Sequence, residues 1–352
     1  GPFGLRIEEL TGSMGAKQKR EVKDALKNGD IDLVIGTHAL FSEDVEYSRL
    51  GLAVTDEQHR FGVSQRSSLI SKGGNPHVLV MSATPIPRTL ALIIYGDLDI
   101  SVIDELPPGR QRVDTFAVTE DYRKRLNGFI RRLVTEGRQV FVVCPMIEEN
   151  DELTATLRSA QEHTEELKKE FPDLSIACVH GKLRPKEKNE IMQSFVSGSI
   201  DVLVSTTVIE VGVDVPNAAL MIVENAERFG LSQLHQLRGR VGRGEHKSYC
   251  VLVSDADSDE AKARLRAMTQ TNDGFKISEE DLRLRGPGDF FGSRHHGLPT
   301  MHVGDLCSDM SVLQTAQSAA QELLSDDPEL TKPEHGQLKS AVEKLFNADT
   351  LN

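Results

Sequence analysis

The stretch Leu50-Gly-Leu-Ala-Val-Thr-Asp-Glu-Gln-His59 carries most of the information about fold and chemistry in this sequence. Its first six residues, 50–55, form a mostly apolar run with a glycine near its start, which is typical of a buried β-strand. Asp56 and Glu57 follow at the carboxyl end of that strand, where open α/β sheets bind their ligands. One carboxylate can hold Mg²⁺ through water while its neighbour takes a proton from an attacking water. A solvated turn explains such a pair equally well, so the choice depends on the rest of the chain.

Strand-like apolar runs alternate with helical patterns on both sides of this stretch, which predicts an α/β fold with parallel sheets. The runs lie at residues 30–36, 52–55, 77–81, 139–144, 175–179, 201–205, 220–223 and 249–253. Leu106-Pro-Pro-Gly109 is a hinge signal, because two prolines and a glycine do not fit regular structure. After residue 256 the pattern becomes mainly helical, with helices expected at 258–268, 311–324 and 337–346. We therefore expect three parts, at residues 1–108, 109–256 and 257–352.

The composition is that of a globular chain. Its 352 residues exceed one typical domain, and contents of 38% hydrophobic and 27% charged residues suit a folded protein in water. No apolar run approaches the ~20 residues that span a bilayer. The four cysteines are widely spaced, and the three inside strand-like runs, Cys144, Cys178 and Cys250, are predicted to be buried thiols, which fits a reducing cytosol; the fourth is Cys307. The net charge of −13 argues only weakly against a nucleic-acid partner, because a local basic footprint is sufficient.

Three further motifs follow the Asp-Glu pair in order. They are Ser82-Ala-Thr84, Thr206-Thr-Val-Ile-Glu-Val-Gly-Val-Asp214 and Gln236-Leu-Arg-Gly-Arg-Val-Gly-Arg243. Their order and spacing resemble the DExH-box helicases of superfamily two. Three longer strings narrow the resemblance to one bacterial family of ATP-dependent DNA helicases: residues 56–63, Met81-Ser-Ala-Thr-Pro-Ile-Pro-Arg-Thr-Leu90 and Arg285-Gly-Pro-Gly-Asp-Phe-Phe-Gly-Ser-Arg294. The resemblance runs from about Leu5 to at least Gly297. It implies two RecA-like lobes, the first truncated, before a mainly helical translocation and hairpin region.

The resemblance assigns catalytic roles to the first motif, with ATP and Mg²⁺ as the implied cofactors. Asp56 would hold Mg²⁺ through water, and Glu57 would act as the general base. Gln58 and His59 complete the motif, and His59 would link the nucleotide state to closure of the lobes. From the residues alone, a solvated strand end and a surface histidine remain alternatives.

Arg240 and Arg243 form the second catalytic feature. Arginine is always charged, and its planar fork of donors suits a transferring phosphoryl group. At a spacing of three residues the two arginines would lie on one face of a helix, and Gly239 and Gly242 would permit close approach. By resemblance they are arginine fingers that reach the nucleotide from the second lobe, with Gln236 beside them, a role worth ~10³–10⁵ in rate in related NTPases. A basic helix that contacts nucleic acid is the alternative, and the two roles can coexist.

Several small or polar residues follow strand-like runs, where amides and hydroxyls can grip phosphates without reading bases. The resemblance makes Gly212 and Asp214 nucleotide contacts, with Asp214 at the ribose. It makes the remaining residues contacts to the DNA backbone: Thr11, Gly12, Ser13, Thr37, His38, His180, Gly181 and Thr206. A plain strand-to-loop turn is the alternative at each of these positions.

The segment 283–297 is rich in glycine, arginine and histidine, and it resembles a motif that couples nucleotide hydrolysis to DNA movement. The residues assigned to this coupling are Ser82, Thr84, Arg283, Arg285, Gly286, Gly288 and Arg294. A metal site is one alternative, although the spacing of the potential ligands matches no familiar zinc pattern. Those ligands are His295, His296, His302 and Cys307. A salt-bridged structural loop is the other alternative.

The sequence contains no Gly-x-x-x-x-Gly-Lys-Ser/Thr loop to cradle nucleotide phosphates, since Gly181-Lys182 is followed by Leu183. The resemblance therefore implies a C-terminal part of a helicase, without the phosphate-binding half of the first lobe and without an N-terminal DNA-binding wedge domain. The intact enzyme would be a cytoplasmic, nucleoid-associated monomer that translocates on double-stranded DNA. It would remodel branched DNA, namely replication forks and Holliday junctions, in recombination and repair, with single-strand-binding protein as a further partner. A non-catalytic module that binds DNA or a protein is the alternative reading of a chain without this loop.

We expect that this chain alone does not hydrolyse ATP at a useful rate, because a well-placed base and arginine pair give no catalysis without a positioned phosphate. The measurement is DNA-stimulated phosphate release by the purified chain. Robust release that is lost in Glu57→Gln would contradict the expectation.

Overall fold

A computed structural model describes residues 4–56, 72, 76–82, 101–103, 105–107, 110–145, 152–206, 215–285 and 310–348. The chain divides into two compact units, Gly1–Thr84 and Pro85–Asn352. Each unit has its own strands and its own hydrophobic core.

The first unit contains two pairs of parallel strands. β1 (Ile7–Leu10) is joined through helix α1 (Ala16–Asn28) to β2 (Leu33–Gly36), and β3 (Leu52–Thr55) pairs with β4 (His77–Val80). Helix α1 ends where the next residue, a glycine with φ of 79°, turns left-handed and returns its N–H to the helix carbonyls. One cluster of buried side chains packs α1 against β1: Leu10, Val22, Leu26 and Val45.

One face of each strand pair in the first unit is apolar and exposed. Ile7 lies beside Leu33 in the strand register, and Val54 lies beside Leu79, with 46–53% of each residue exposed. Other exposed apolar residues on these strands or at their ends are Leu5, Ile35, Leu52 and Met81. Parallel sheets are normally covered on both faces. The described residues of this unit therefore leave one face of its strands uncovered.

The second unit is built around a six-stranded sheet in which every paired neighbour is parallel. Its strands are β5 (Val113–Val118), β6 (Gln139–Cys144), β7 (Ile176–Val179), β8 (Val202–Thr206), β9 (Ala218–Val223) and β10 (Ser248–Val253). They are arranged in the order β5-β10-β9-β6-β8-β7. The helices between and after them are α2 (Arg123–Thr135), α3 (Glu152–Glu170), α4 (Pro185–Val196), α5 (Leu231–Arg238), α6 (Asp259–Gln270) and α7 (Gly274–Arg285). Strands that alternate with helices in a parallel sheet confirm the predicted α/β fold class.

The central strands β6, β8 and β9 are buried along their whole length. Their side chains alternate between two core clusters on the two faces of the sheet. Phe141 and Leu203 face the cluster that includes α4, α5 and α6, whereas Val142 and Ile222 face the cluster that includes α2 and α3. The central strands are thus apolar on both sides, which explains why near-continuous apolar runs mark them in the sequence.

Two cysteine side chains belong to this core. Cys144 ends β6 and Cys250 lies in β10, and both are at most 2% exposed. Burial in apolar surroundings raises the pKa of each thiol to about 12. Cys178 in β7 is half-buried, and burial raises the pKa of its thiol as well. The prediction of buried thiols is confirmed for Cys144 and Cys250, while Cys307 lies outside the described residues.

Two further helices, α8 (Met310–Asp326) and α9 (Gly336–Ala348), are joined by a turn that one carboxylate organises. Asp327 is 4% exposed and accepts hydrogen bonds of 2.9 Å from the backbone N–H groups of Thr331 and Lys332. His335 Nδ1 donates to the same carboxylate at 2.8 Å. The backbone hydrogen bonds from Lys332 and Thr331 hold the pKa of Asp327 far below its usual range. The two C-terminal helices predicted on either side of this aspartate are confirmed.

We expect backbone amides of the first unit to exchange their hydrogens faster than those of the second. Its strand pairs have an uncovered apolar face, and two-stranded pairs leave edges that are easily opened. In hydrogen-exchange measurements, residues 31–35 and 78–81 should exchange faster than residues 140–143 and 202–204. Equal protection of the two sets would show that the uncovered face does not weaken the first unit.

Candidate functional site

Helix α5 carries the first half of the arginine motif. Leu231, Leu234 and Leu237 recur at helical spacing on it, and all three are buried in the core. Gln236, next to the last of these leucines, is half-buried. The helix ends at Arg238 and so stops before the two arginines assigned to catalysis.

Arg240 and Arg243 lie in the turn that follows α5. The expectation that they share one face of a helix is wrong, because the chain leaves the helix at Gly239 and turns left-handed at Gly242, where φ is 78°. A Cβ atom at Gly242 would lie 2.8 Å from Val113 Cγ2, so glycine suits both the conformation and the space. Arg240 is half-buried and Arg243 is exposed. The path of the backbone, not helical periodicity, therefore sets the positions of the two arginines.

Two guanidinium groups hold this turn through one shared acceptor. The carbonyl of Gly239 accepts hydrogen bonds from Arg110 Nη2 at 3.2 Å and from Arg243 Nε at 3.1 Å. The neighbouring Gln111 donates from Nε2 to the carbonyl of Glu245 at 2.8 Å. Arg110 and Gln111 directly follow the predicted hinge at residues 106–109. The chain at the end of that hinge is therefore hydrogen-bonded to the arginine motif.

A buried arginine that sequence analysis did not single out lies at the end of α5. Arg238 is 3% exposed, and burial lowers its pKa. Its Nη1 donates to the carbonyls of Met268 at 3.0 Å and Thr271 at 2.8 Å, and its Nη2 lies 3.0 Å from His235 Nδ1. Burial, together with the charge of Arg238, lowers the pKa of His235 to about 4, so that ring is neutral at pH 7. The sequence signal was the position of Arg238, four residues after the core residue Leu234 and therefore on the same side of α5.

Asp56 and Ser82 lie at the same edge of the β3–β4 pair. Asp56 directly follows β3 and is exposed, and Ser82 follows the end of β4. The parallel register brings these strand ends together, and the Met81 N–H donates to the Thr55 carbonyl at 2.8 Å. An exposed carboxylate at the carboxyl end of a parallel strand is in a position to hold a cation.

The turns that follow β1 and β2 lie at one edge of their strand pair, because Leu10 pairs with Gly36 in the register. The predicted DNA contacts in these turns are Thr11, Gly12, Ser13, Thr37 and His38. The hydroxyl oxygens of Thr11 and Ser13 lie 3.2 Å apart. A Cβ atom at Gly36 would come within 2.1 Å of the Leu10 carbonyl oxygen, so the close approach of the strands requires glycine there. The fold thus brings the two polar turns together.

The corresponding positions in the second unit follow β7 and end β8, which are neighbours in the sheet. His180 comes directly after β7 and is half-buried, and its pKa is lowered by burial and by the charge of Lys182. Gly181 follows it in the same turn. Thr206 is the last residue of β8 and is only 3% exposed. A DNA contact by Thr206 therefore stays a prediction that the burial of this residue does not favour.

Many of the predicted site residues lie outside the described residues. They are Glu57, Gln58, His59, Thr84, Gly212, Asp214, Gly286, Gly288, Arg294 and the potential metal ligands His295, His296, His302 and Cys307. Arg285 is the last residue of α7, and its side chain is not described either. Arg283 is exposed on the same helix and donates to Glu280 Oε2 at 2.7 Å. The coupling role of this segment remains a prediction.

A cavity of about 460 Å³ lies at the carboxyl ends of β6, β9 and β10, away from the arginine motif on the α2 and α3 side of the sheet. Its lining includes Glu224, which is 7% exposed and accepts two hydrogen bonds of 2.7 Å from Arg123. Arg123 also binds Glu120, and His163 Nε2 lies 3.3 Å from Glu224. Burial alone would raise the pKa of Glu224, but the hydrogen bonds from Arg123 and the proximity of His163 outweigh it and lower the pKa to about 2. Sequence analysis missed this network, which ties β9 to α2.

Within the described ranges, no group of three or more His, Cys, Asp or Glu side chains is arranged to hold a metal ion.

A membrane-spanning helix would need to be longer and more apolar than any helix among the described residues.

Three protein-family descriptions match successive parts of the chain. "DEAD/DEAH box helicase" matches residues 2–93, and "Helicase conserved C-terminal domain" matches residues 123–245. "ATP-dependent DNA helicase RecG, domain 3, C-terminal" matches residues 271–350. The matches cover both units and the C-terminal helices.

Curated relatives named ATP-dependent DNA helicase RecG match nearly the whole chain. The Synechocystis protein is 50% identical over 351 residues, which is 99% of this chain and 42% of the relative. The Bacillus subtilis protein is 47% identical over 97% of this chain and 50% of its own length, and the Thermotoga maritima protein is 52% identical over 91% and 41%. This chain thus spans half or less of the length of these relatives.

Solved structures agree with the family matches. A RecG bound to a three-way DNA junction superimposes with a TM-score of 0.67 and 48% identity, over 89% of this chain and 40% of that chain. The Mycobacterium smegmatis helicase Lhr, at 18% identity and a TM-score of 0.54 over 77% of this chain, supports the fold alone. The helicase resemblance inferred from the motifs is confirmed: over nearly its whole length the chain matches the family of proteins named ATP-dependent DNA helicase RecG.

Proposed function

We propose that this chain forms part of the motor of an ATP-dependent DNA helicase that translocates on double-stranded DNA. The observation that carries the proposal is the arginine turn, in which Arg240 and Arg243 follow a core-anchored helix and Gly242 fixes the backbone. Permanent charges held in place in this way need little reorganisation when a phosphoryl group is transferred. The relatives named as ATP-dependent DNA helicases support the same reaction.

The proposed chemistry uses ATP and Mg²⁺. Asp56, exposed at the end of β3, would hold Mg²⁺ through water, and Glu57 would take a proton from the attacking water. His59 would link the nucleotide state to closure of the lobes, and Gln58 completes the motif. The two arginines of the turn would stabilise the charge on the transferring phosphoryl group. The remaining nucleotide contacts in the proposal are Gln236, Gly212 and Asp214.

The proposed partner is branched double-stranded DNA, namely replication forks and Holliday junctions, in recombination and repair. The RecG relative solved on a three-way DNA junction supports this class of substrate. The polar turns at the ends of β1, β2 and β7 would contact the DNA backbone, because amides and hydroxyls there can bind phosphates without reading bases. A net charge of −13 makes such local contacts necessary, since the chain as a whole does not attract DNA. We further propose that the intact protein acts as a monomer and that single-strand-binding protein is an additional partner.

The proposed division of labour follows the three parts at residues 1–108, 109–256 and 257–352. The first two would each carry part of the nucleotide contacts. The third would transmit hydrolysis to DNA movement through Ser82 and Thr84 in the first part and through Arg283, Arg285, Gly286, Gly288 and Arg294. The chain by itself is proposed to be inactive as an ATPase, because its sequence contains no phosphate-binding loop.

The proposal predicts different losses for two arginine variants of the full-length gene product. Arg285→Ala should keep most of the ATPase activity and lose most of the fork unwinding, because Arg285 would act in transmission and not at the nucleotide. Arg243→Ala should lose both activities, because it removes the positive charge that would stabilise the transferring phosphoryl group. The rate of ATP hydrolysis should fall about 10³-fold or more. The measurements are DNA-stimulated phosphate release and unwinding of a synthetic fork.

Thermal melting of each variant provides the control for misfolding. A parallel loss of ATPase and unwinding in Arg285→Ala, or a large drop in its melting temperature, would show that the segment is structural. Unchanged ATPase activity in Arg243→Ala would remove the basis of the proposed catalytic site.

A further inference from the structure

The end of helix α5 places a permanent charge inside the protein. Arg238 is 3% exposed, although most arginines keep their guanidinium group in water. Burying a charge is costly unless it is hydrogen-bonded, and burial does lower the pKa of Arg238. Retaining such a group at this position calls for a physical reason.

Two of the acceptors of Arg238 come from outside its own helix. Its Nη1 donates to the carbonyls of Met268, 30 residues away, and Thr271, 33 residues away. Helix α6 ends at Gln270, so these carbonyls belong to the C-terminal end of α6, where the last carbonyls lack partners within the helix. The negative end of the α6 dipole also favours a cation there. Arg238 therefore caps α6 from the side of α5.

His235 completes the contact from the same helix. Its Nδ1 lies 3.0 Å from Arg238 Nη2, and a guanidinium can only donate, so Nδ1 must accept and the ring proton must be on Nε2. The low pKa of His235, about 4, keeps the ring in this neutral form at pH 7. The charged groups that act on the His235 ring are Arg238, in contact with it, and Arg110 and Asp273 at longer range.

The same backbone leads directly into the arginine turn. The Val241 N–H donates to the Arg238 carbonyl at 3.3 Å, and the next residue, Gly239, provides the carbonyl that Arg243 and Arg110 share. Arg240 directly follows Gly239. A shift of Arg238 would therefore move the base of the turn that carries both proposed catalytic arginines.

We infer that Arg238 is a positioning residue: it anchors the arginine turn to the C-terminal end of α6 and thereby fixes where Arg240 and Arg243 project. The inference rests on the proposed ATPase function for its kinetic consequence. The anchoring contact itself can be measured without nucleotide.

The test uses the full-length gene product with three substitutions. Arg238→Met keeps much of the apolar length and removes every donor. Arg238→Lys keeps a charge that can donate to the two α6 carbonyls but lacks the planar fork that also reaches His235. The matched control is Arg123→Met, which likewise removes a hydrogen-bonded guanidinium of the second unit, but one that is half-buried and pairs with the buried Glu224 after β9.

The kinetic readout separates placement from stability. At a temperature at which all variants are folded, Arg238→Met should lower kcat for ATP about 10²-fold, because a displacement of about 1 Å from the productive geometry costs that much. The KM for ATP should stay within about twofold, since the arginine turn is proposed to act on the transferring group. Arg238→Lys should lose less activity than Arg238→Met, and Arg123→Met should keep kcat within about twofold of wild type.

Two readouts report the contact itself. Hydrogen exchange should become faster at residues 267–271 in Arg238→Met but not in Arg123→Met. The pKa of His235, followed by NMR, should rise in Arg238→Met because a neighbouring positive charge is removed, and it should not change in Arg123→Met.

The outcomes distinguish the inference from the proposed function. Wild-type kcat in a folded Arg238→Met, or equal losses of kcat in Arg238→Met and Arg123→Met, would overturn the positioning role. Unchanged exchange at 267–271 together with an unchanged His235 pKa would overturn the anchoring contact. If Arg243→Ala retains full ATPase activity while exchange and the His235 pKa respond as expected, the anchor stands and the proposed catalytic site fails.

Discussion

The burial of β6, β8 and β9 on both faces is the constraint from which the rest of the second unit follows. Strands that are covered above and below can offer polar groups only at their two ends, and one polar network lies at the carboxyl edge of the sheet. Glu224 follows β9 at this edge and lies so close to the core that it must be paired, which explains its bidentate contact with Arg123. The proposed arginine turn lies at the opposite edge, where Gly242 is next to Val113 and Ser248, the first residues of β5 and β10.

The arginine turn shows how backbone geometry can define a charged site. Gly242 allows a left-handed turn beside Val113, and the shared carbonyl of Gly239 ties two guanidinium groups to the same point. Arg238 fixes the start of this turn from the interior. The backbone that carries Arg243 therefore has little freedom to move. A guanidinium held in this way can stabilise a developing charge without first being reoriented.

The sequence predicted the central sheet well and its edges less well. β6, β8 and β9 are near-continuous apolar runs, and these were recognised. β5 was not among the predicted strands, because residues 113–118 include Asp114 and Thr115 and lie at the edge of the sheet, where partial exposure tolerates polar side chains. Apolar runs indicated β2, β3 and β4 of the first unit but not β1, and neither the strand pairing nor the exposure of one face could be read from them.

The candidate site was predicted where its residues are local in sequence. The end of α5 was not predicted, because Val241 continues the apolar spacing of Leu234 and Leu237 past the point where Gly239 ends the helix. The position of Arg238 four residues after Leu234 was the only local sign of its burial, since its two carbonyl acceptors lie 30 or more residues away. Tertiary contacts of this kind decide burial, and no local pattern encodes them.

The buried thiols of the central sheet have a practical consequence. With a pKa of about 12, only on the order of 10⁻⁵ of each thiol at Cys144 and Cys250 is ionised at neutral pH, and the thiolate is the reactive form. Neither side chain is accessible to a reagent while the strands remain closed. Alkylation at these two positions therefore requires the sheet to open. The rate of alkylation of Cys144 and Cys250 would measure cooperative opening of the second unit without any introduced cysteine.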